Sequence, residues 1–265
     1  MIAYFKMKFI VGLQYRASAF AAILTQIFFG IVYISVYLAC YESGTTSNLP
    51  MPLNELVSYL WLNQIFFALI YLWYKDNDIL NLIKTGNISY ELCRPQDLYN
   101  MWFSKILGER LSSVTLRFPP VLILALLLPK PYNLAVDLNL TKIIVFLITF
   151  ILGIFLMVSF TLFYHTICLI TLDEKGIINI IMVLADILSG LTLPIPFFPL
   201  FLRNICNILP FRYISDLSFR LLVGNIAIKE GLIGIIIQII WIIIFIIAGR
   251  LIVKKSLKKV VLQGG

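Results

Sequence analysis

The sequence predicts an all-α membrane protein with six transmembrane helices. Apolar residues make up 61% of its 265 residues and charged residues only 13%, which is about half the charged content of an average soluble domain. Several apolar runs reach the roughly 20 residues that a helix needs to cross a bilayer core. No internal repeat or shift in composition divides the chain, so we expect one membrane domain over residues 1–265.

The apolar runs and the charged breaks between them locate the predicted spans. The six spans cover residues 18–39, 55–74, 106–128, 142–171, 177–193 and 231–249. Residues 1–17 precede the first span and carry apolar side chains at helical spacing beside Lys6 and Lys8. We therefore expect these residues to form an interfacial helix on the inner leaflet.

Basic residues indicate the orientation of the chain. If the N-terminus is cytoplasmic, the inner segments hold thirteen lysine and arginine residues, including a basic tail at 250–265, and the outer segments hold six. The positive-inside rule then predicts a multi-pass protein of the bacterial plasma (inner) membrane with both termini cytoplasmic. The net charge of +8 reflects orientation and contact with anionic membrane lipid, and we expect no nucleic-acid partner.

The inner connection between spans two and three, residues 75–105, is too long and too patterned to be a simple link. Its sequence predicts a short amphipathic helix that has Asn77 or Asp78 as its N-cap and stops at Gly86. The apolar face of this helix would be formed by Ile79, Leu82 and Ile83.

A second helix of the inner connection is expected to begin at Pro95. Proline suits the first turn of a helix, and Asp97 complements its positive end. The residue before a proline favours extended geometry, so Tyr90 to Arg94 are expected to form a rigid bend at the cytoplasmic surface. A surface helix and a fixed bend joined to two spans would form a lever for a soluble partner. An ordinary inter-span loop is the alternative.

The outer connection between spans five and six, residues 194–230, is rich in proline and aromatic residues. Pro194, Pro196 and Pro199 follow the fifth span, and an apolar stretch of about ten residues then leads to Pro210. That stretch is too short to cross a bilayer. It predicts re-entrant helices that dip into the outer leaflet and are supported by neighbouring protein.

The inner connection resembles a segment of a known family. Gly86, Leu92 and Pro95, followed by a leucine-rich span, have the spacing of the coupling segment of type-2 ATP-binding-cassette (ABC) transporter permeases, the exporter-type transmembrane domains. Asn87 and Lys84 depart from that family's pattern. The resemblance implies that the inner segment contacts an ATPase. The expected contact residues are Gly86, Tyr90, Glu91, Leu92, Arg94, Pro95 and Asp97.

The outer connection resembles the outer helices of the same family in the order and spacing of its glycine, proline, tyrosine and aspartate residues. In such permeases these helices are thought to gate the exit of the pathway. By resemblance, the outer gate would comprise Gly190, Pro194, Pro199, Pro210, Tyr213, Asp216 and Gly224. A lid that only seals a dimer is the alternative.

The resemblance implies a permease subunit of an exporter that pairs with a second permease, identical or homologous, and with separate ATPase subunits. The chain has no G-x-x-x-x-G-K-[ST] motif, so ATP and Mg are expected on the partner ATPase. We expect no cofactor, metal or catalytic residue in this chain. A substrate-binding membrane subunit or secondary carrier stays open as an alternative. A membrane-embedded enzyme is less favoured, because no cluster of histidines, cysteines or paired carboxylates marks one membrane face.

Arg117 and Asp186 are ionisable residues within predicted spans, where an unpaired charge is costly. Arg117 in span three and Asp186 in span five are each a similar distance from the inner end of their span, so we expect them at similar depth. We hypothesise that they form a structural ion pair. Contacts with substrate in a cavity, or separate snorkelling or hydrated sites, are the alternatives.

Overall fold

Every regular element that the computed structural model describes is helical. The described residues are 1–43, 49–92, 96–137, 139–171 and 176–257. In chain order the helices are α1 (Ile2–Gly12), α2 (Arg16–Glu42), α3 (Leu53–Ile65), α4 (Phe67–Ile70), α5 (Asn77–Lys84), α6 (Ile88–Leu92), α7 (Leu98–Leu127), α8 (Leu140–Thr171), α9 (Ile177–Ser189), α10 (Leu200–Ile208), α11 (Asp216–Val223) and α12 (Ile228–Leu257), with 3-10 turns at Ile195–Phe197 and Phe211–Tyr213. The prediction of an all-helical chain is confirmed over this part of the protein.

Four helices within the described residues, α2, α7, α8 and α12, are long and apolar enough to cross a membrane. They correspond to predicted spans one, three, four and six. The last two pack along each other. Between them the buried Gln238 donates one amide proton to the Thr149 carbonyl oxygen (2.8 Å) and one to that of Tyr213 (2.7 Å). This amide therefore joins α12 both to α8 and to the outer segment, residues 194–230.

The second predicted span, residues 55–74, is a broken helix. Helix α3 ends at Ile65, α4 is a single turn, and Phe66 between them leaves helical geometry. Every residue from Leu56 to Ile65 is buried inside the protein. A broken helix at membrane depth is tolerated where protein rather than lipid surrounds it, because neighbouring groups satisfy the freed backbone.

Aromatic rings pack around this break. The Phe66 ring lies 5.3 Å from Phe118 of α7, 4.5 Å from Phe150 of α8 and 5.8 Å from Phe219 of α11, measured between centroids. The last two rings are 5.8 Å apart. Such pairs contribute about 0.5–1.5 kcal/mol each beyond the burial of their area. This aromatic cluster joins the broken helix to three others near the centre of the bundle.

The fifth predicted span, residues 177–193, corresponds to α9, which is shorter than expected. It has 13 residues and is about 20 Å long. The helix ends because Gly190 adopts a left-handed conformation, with φ of +84°. Large apolar residues are exposed on this helix at Ile180, Val183, Leu184 and Ile187.

The N-terminal segment forms α1, which packs along the first half of α7. A Cβ added to Gly108 would lie 3.0 Å from the Phe5 carbonyl oxygen, and one added to Gly12 would lie 2.0 Å from Ser112 Oγ. Small residues thus allow the two helices to approach closely. No residue of α1 is fully buried, so the predicted interfacial helix is a peripheral helix held on one side by α7.

Helix α8 packs closely against the outer segment at Gly153. A Cβ there would lie 2.2 Å from the Ile214 carbonyl oxygen, whereas a Cβ at Gly231 would lie 3.1 Å from the ends of the Leu221 and Val145 side chains. We expect Gly153→Ala to lower the free energy of unfolding by about 1–3 kcal/mol, because a backbone carbonyl cannot give way locally. Gly231→Ala should change it by less than about 1 kcal/mol, since flexible side chains can move and alanine favours a helix. Thermal unfolding in detergent measures both, and equal melting temperatures would contradict the packing argument.

Candidate functional site

The inner segment, residues 75–105, begins with α5. This helix is amphipathic as expected, but its N-cap lies one residue earlier than the first of the two predicted caps. Its N-cap is Asp76, whose Oδ1 accepts a hydrogen bond from the Ile79 amide (3.1 Å). The expected caps, Asn77 and Asp78, lie in the first turn. The buried residues of the helix are Ile79, Leu80 and Ile83, so Leu80 takes the place expected for Leu82. The helix ends before Gly86, which has φ of +72° and no atoms within 4 Å of an added Cβ.

The prediction of a bend from Tyr90 to Arg94 is wrong for residues 90–92, because residues 88–92 form the short helix α6. Tyr90, Glu91 and Leu92 therefore share one helical turn. Helix α7 begins at Leu98 rather than at Pro95, because the Asp97 side chain accepts a hydrogen bond from the Asn100 amide (2.8 Å) and caps it. The predicted contact residues Arg94 and Pro95 lie outside the described residues.

Leu92 stands at the edge of a surface recess. Its side chain is 40% exposed, and the recess, of about 340 Å³, lies between the end of α6, the start of α7 and the end of α12. Arg250 of α12 donates a hydrogen bond to Asn100 Oδ1 (2.6 Å) across this region. The exposed end of α6 thus adjoins two of the long helices.

An ion cluster centred on the buried Lys105, which was not predicted from the sequence, anchors the inner segment. Lys105 of α7 is 4% exposed and donates hydrogen bonds to Asp76 Oδ2 (2.6 Å) and Asp78 Oδ2 (2.9 Å). Glu109 lies 3.7 Å from Lys105 and 3.7 Å from Lys8 of α1. These five residues, the inner charge cluster, join α1 and α7 to the start of α5. The signal in the sequence was the i,i+4 pair on α7 and the acidic pair that flanks Asn77.

His165 extends the inner charge cluster to α8. The Asp76 amide donates to His165 Nε2 (2.9 Å), and the other ring nitrogen lies 2.7 Å from the Thr161 carbonyl oxygen. The ring is fully buried, and this geometry requires the proton on Nδ1. The neighbouring Tyr164 donates to the Tyr74 carbonyl oxygen. This packed histidine therefore positions the N-cap of α5.

Arg110, which was not predicted from the sequence as a site residue, satisfies backbone carbonyl groups at the end of the broken helix. Its guanidinium is buried and donates to the carbonyl oxygens of Ala68 (3.1 Å) and Tyr71 (2.8 Å). The same group lies 4.0 Å and 4.3 Å from the ring centroids of Tyr71 and Tyr74. Cation–π contacts and carbonyl acceptors together replace the water that this charge would lose.

The outer segment is organised around Asp216, the first residue of α11. This carboxylate is fully buried. The Tyr59 hydroxyl of α3 lies 3.0 Å from Asp216 Oδ1 and 3.1 Å from the Gly190 carbonyl oxygen, so it can donate to either. Arg212 and Arg220 each lie 3.7 Å from Asp216 Oδ2. These five residues, the outer cluster, bring the end of α9, the middle of α3 and the start of α11 together.

The remaining residues predicted for the outer gate frame this cluster. Pro194 precedes a 3-10 turn, Pro199 is the N-cap of α10, and Pro210 follows that helix. The Tyr213 hydroxyl donates to the Asn207 carbonyl oxygen (2.7 Å). Gly224 ends α11 with φ of +94°, and a Cβ added there would lie 3.4 Å from Lys142 Nζ at the start of α8.

The hypothesis of an ion pair between Arg117 and Asp186 is wrong. Asp186 Oδ2 instead accepts a hydrogen bond from Thr192 (2.9 Å) in the turn after α9. Arg117 borders a polar cavity on the side of α7 that faces α1 and α2. The similar depth predicted for the two residues therefore did not bring their side chains together.

The two aspartates that share Lys105 provide a matched pair for mutation. Asp76→Asn keeps the helix cap but leaves the buried ammonium without its main counter-charge, so we expect the free energy of unfolding to fall by about 3–5 kcal/mol. The Asp78 side chain is 74% exposed, so Asp78→Asn should cost less than about 1 kcal/mol. Chemical unfolding in detergent compares the two variants. Equal losses would show that burial does not decide the strength of these pairs.

The Asp78 contribution should also depend on pH. The hydrogen bond from Lys105 lowers the pKa of the Asp78 carboxyl below its ordinary value. The contribution is therefore fully present above the pKa of the unfolded aspartate and is lost as pH falls through the folded one. The stability difference between the wild type and Asp78→Asn should shrink on acidification, and a difference that grows instead would refute this assignment.

Removal of one hydroxyl tests the outer cluster. Tyr59→Phe leaves Asp216 Oδ1 and the Gly190 carbonyl oxygen without their shared donor, so we expect a loss of about 1–3 kcal/mol in unfolding free energy. Tyr213→Phe removes a hydroxyl that donates only to a neutral backbone carbonyl, and should cost about 0.5–1.5 kcal/mol. Thermal unfolding of both variants in detergent makes the comparison, and the reverse order would contradict the role of Asp216.

Comparison with known proteins identifies the family. A family model described as ABC-2 family transporter protein matches residues 51–264. Comparison with curated proteins and with solved structures gives no significant match. The matched region includes the inner segment, the outer segment and the helices from α3 to α12. Because it spans most of the chain, this protein belongs to the ABC-2 family of transporter membrane proteins.

Proposed function

We propose that this permease is one half of the membrane pathway of an ABC exporter, and that it pairs with a second permease and with separate ATPase subunits. The ATPase would bind ATP and Mg, and this chain would supply the pathway and the mechanical connection. Family membership supports transport by a permease. The anchoring of the inner segment by the buried Lys105–Asp76 ion pair is the observation that carries the coupling role.

The proposed topology has six spans, with α3–α4 and α9 added to the four long helices, and with both termini in the cytoplasm of a bacterium. The two patterned segments lie at opposite ends of the bundle. Asp76 contacts the first half of α7 and the last third of α8. Asn225, just after α11, donates to Glu55 in the first turn of α3 (3.2 Å), and Gly224 adjoins Lys142 at the start of α8. The inner segment would therefore face the ATPase, and the outer segment would face away from it.

Movement of α5 and α6 would be transmitted through buried polar contacts. Lys105 connects the α5 cap to α7, and His165 connects it to α8. A partner that displaces α5 must move these long helices or break a buried ion pair, which costs several kcal/mol. The inner segment would thus act as a coupling element.

The outer segment would gate the far end of the pathway. Asp216 contacts α3 through the Tyr59 hydroxyl. That hydroxyl also lies within hydrogen-bond distance of the Gly190 carbonyl oxygen at the end of α9. A change in the tilt of α3 or α9 would alter these contacts. The outer cluster is therefore suited to open or close as the long helices move.

Reconstitution with an ATPase encoded beside this chain tests the coupling role. We expect Leu92→Asp to weaken association and to reduce permease-dependent ATP hydrolysis about tenfold or more, because it places a charge in the exposed apolar contact at the end of α6. Leu140→Asp is the matched control. Leu140 is also exposed (73%), but it is the first residue of α8 and lies at the end of that helix away from the inner segment. Copurification and ATPase assays in proteoliposomes give the two readouts.

The outcomes separate the candidate functions. If Leu92→Asp and Leu140→Asp behave alike, the inner segment does not couple to the ATPase. If the wild-type chain binds no ATPase but moves substrate along an ion gradient, a secondary carrier is the better description. Loss of association with Leu92→Asp alone supports the permease mechanism.

A further inference from the structure

A polar cavity of about 390 Å³ lies beside α7, between α1, the start of α2 and the chain that follows α4. Asp78 of the inner charge cluster borders it, which places the cavity at the end of the bundle that carries α5. Its volume falls in the range of small-molecule sites, about 300–1,000 Å³. The side chains that matter for a ligand are Lys8, Tyr15, Ser18, Ser113 and Arg117.

Most charges in this cavity are matched by groups of the protein. Lys8 lies 3.7 Å from Glu109, and Asp78 accepts a hydrogen bond from Lys105 (2.9 Å). Arg110 also lines the cavity; its Nε atom is buried without an acceptor too, but its guanidinium donates to two backbone carbonyl oxygens. Arg117 differs from these residues because it has no such contact in the part of the chain that the structure describes. Within the described residues its guanidinium makes no hydrogen bond or ion pair, and its Nε atom is buried without an acceptor.

An arginine without an acceptor inside a membrane span is costly and marks a functional site by default. Tyr15, Ser18 and Ser113 offer hydroxyl groups but no negative charge to balance it. The feature that the lining lacks is therefore an anion with several acceptor oxygens. A phosphate group meets this need, because its oxygens match the planar fork of a guanidinium and can accept further hydrogen bonds from hydroxyls.

We infer that this cavity binds the phosphate group of a membrane lipid, with Arg117 as its charged ligand and with the hydroxyls of Ser18 and Ser113 beside it. The neighbouring α1 points to a membrane source, because this peripheral helix exposes Ile2 and Ile10 next to basic residues, as interfacial helices do. Basic pockets between membrane helices bind anionic head groups. Binding does not require the ATPase, so the inference stands apart from the proposed coupling.

Lipid binding to the purified chain tests the inference. Native mass spectrometry in detergent would compare phosphatidylglycerol with uncharged diacylglycerol, and equilibrium dialysis would measure labelled inorganic phosphate. We expect the wild type to bind one phosphatidylglycerol molecule at least about tenfold more tightly than Arg117→Gln does. Lys6→Gln removes a nearby exposed charge that does not line the cavity, and should stay within about twofold of the wild type.

A second variant tests the cavity itself while Arg117 is kept. Ser113→Leu keeps Arg117 but fills part of the cavity with an apolar side chain. It should therefore also weaken the binding of phosphatidylglycerol. Equal affinity of the wild type and both cavity variants would overturn the inference, as would equal binding of phosphatidylglycerol and diacylglycerol. Arg117-dependent binding of inorganic phosphate without lipid binding would overturn the lipid source and assign a soluble phosphate compound instead.

Discussion

The buried ion pair between Lys105 and Asp76 fixes the geometry of the inner end of the protein. Two charges removed from water are stable only when the contacts between them are short and the remaining hydrogen-bonding groups are satisfied. Here the ammonium donates to two aspartates, while Asp76 also caps α5 and its amide donates to His165. The cap of a short surface helix is thus held by α7 and α8 together. As a result, the short helix α5 is attached firmly to two long helices.

The outer end also has a cluster around a buried charge, but with the charges reversed and with longer ion-pair distances of 3.7 Å. There a buried carboxylate, Asp216, is the central group, and two arginines and a tyrosine surround it. Between the two ends, the broken helix α3–α4 is completed by Arg110 and by the ring of Phe66. Polar groups at membrane depth are costly unless protein satisfies them. Each of these contacts therefore favours one specific packing of the helices.

The outward surface of the bundle has a different character. Large apolar side chains are exposed along α2, α9 and α12, as lipid or a second membrane subunit requires. An outer cavity of about 560 Å³ lies between α3, α7, α8 and α11, with Glu55 among mainly apolar neighbours. A permease needs both kinds of surface, since it must remain in the bilayer while part of its surface contacts what it moves.

The sequence by itself determined the membrane class, the four long helices and the two patterned connections, because apolar run length, proline and glycine act locally. It also indicated the end of α5 at Gly86 and a short helix between Pro199 and Pro210. Tertiary structure decided the partners of the charges. Arg117 and Asp186 lie at similar distances from the inner ends of their predicted spans but do not pair, whereas Lys105 and Asp76, 29 residues apart, do. Helix rotation and packing set which side chains face each other, and no local pattern encodes them.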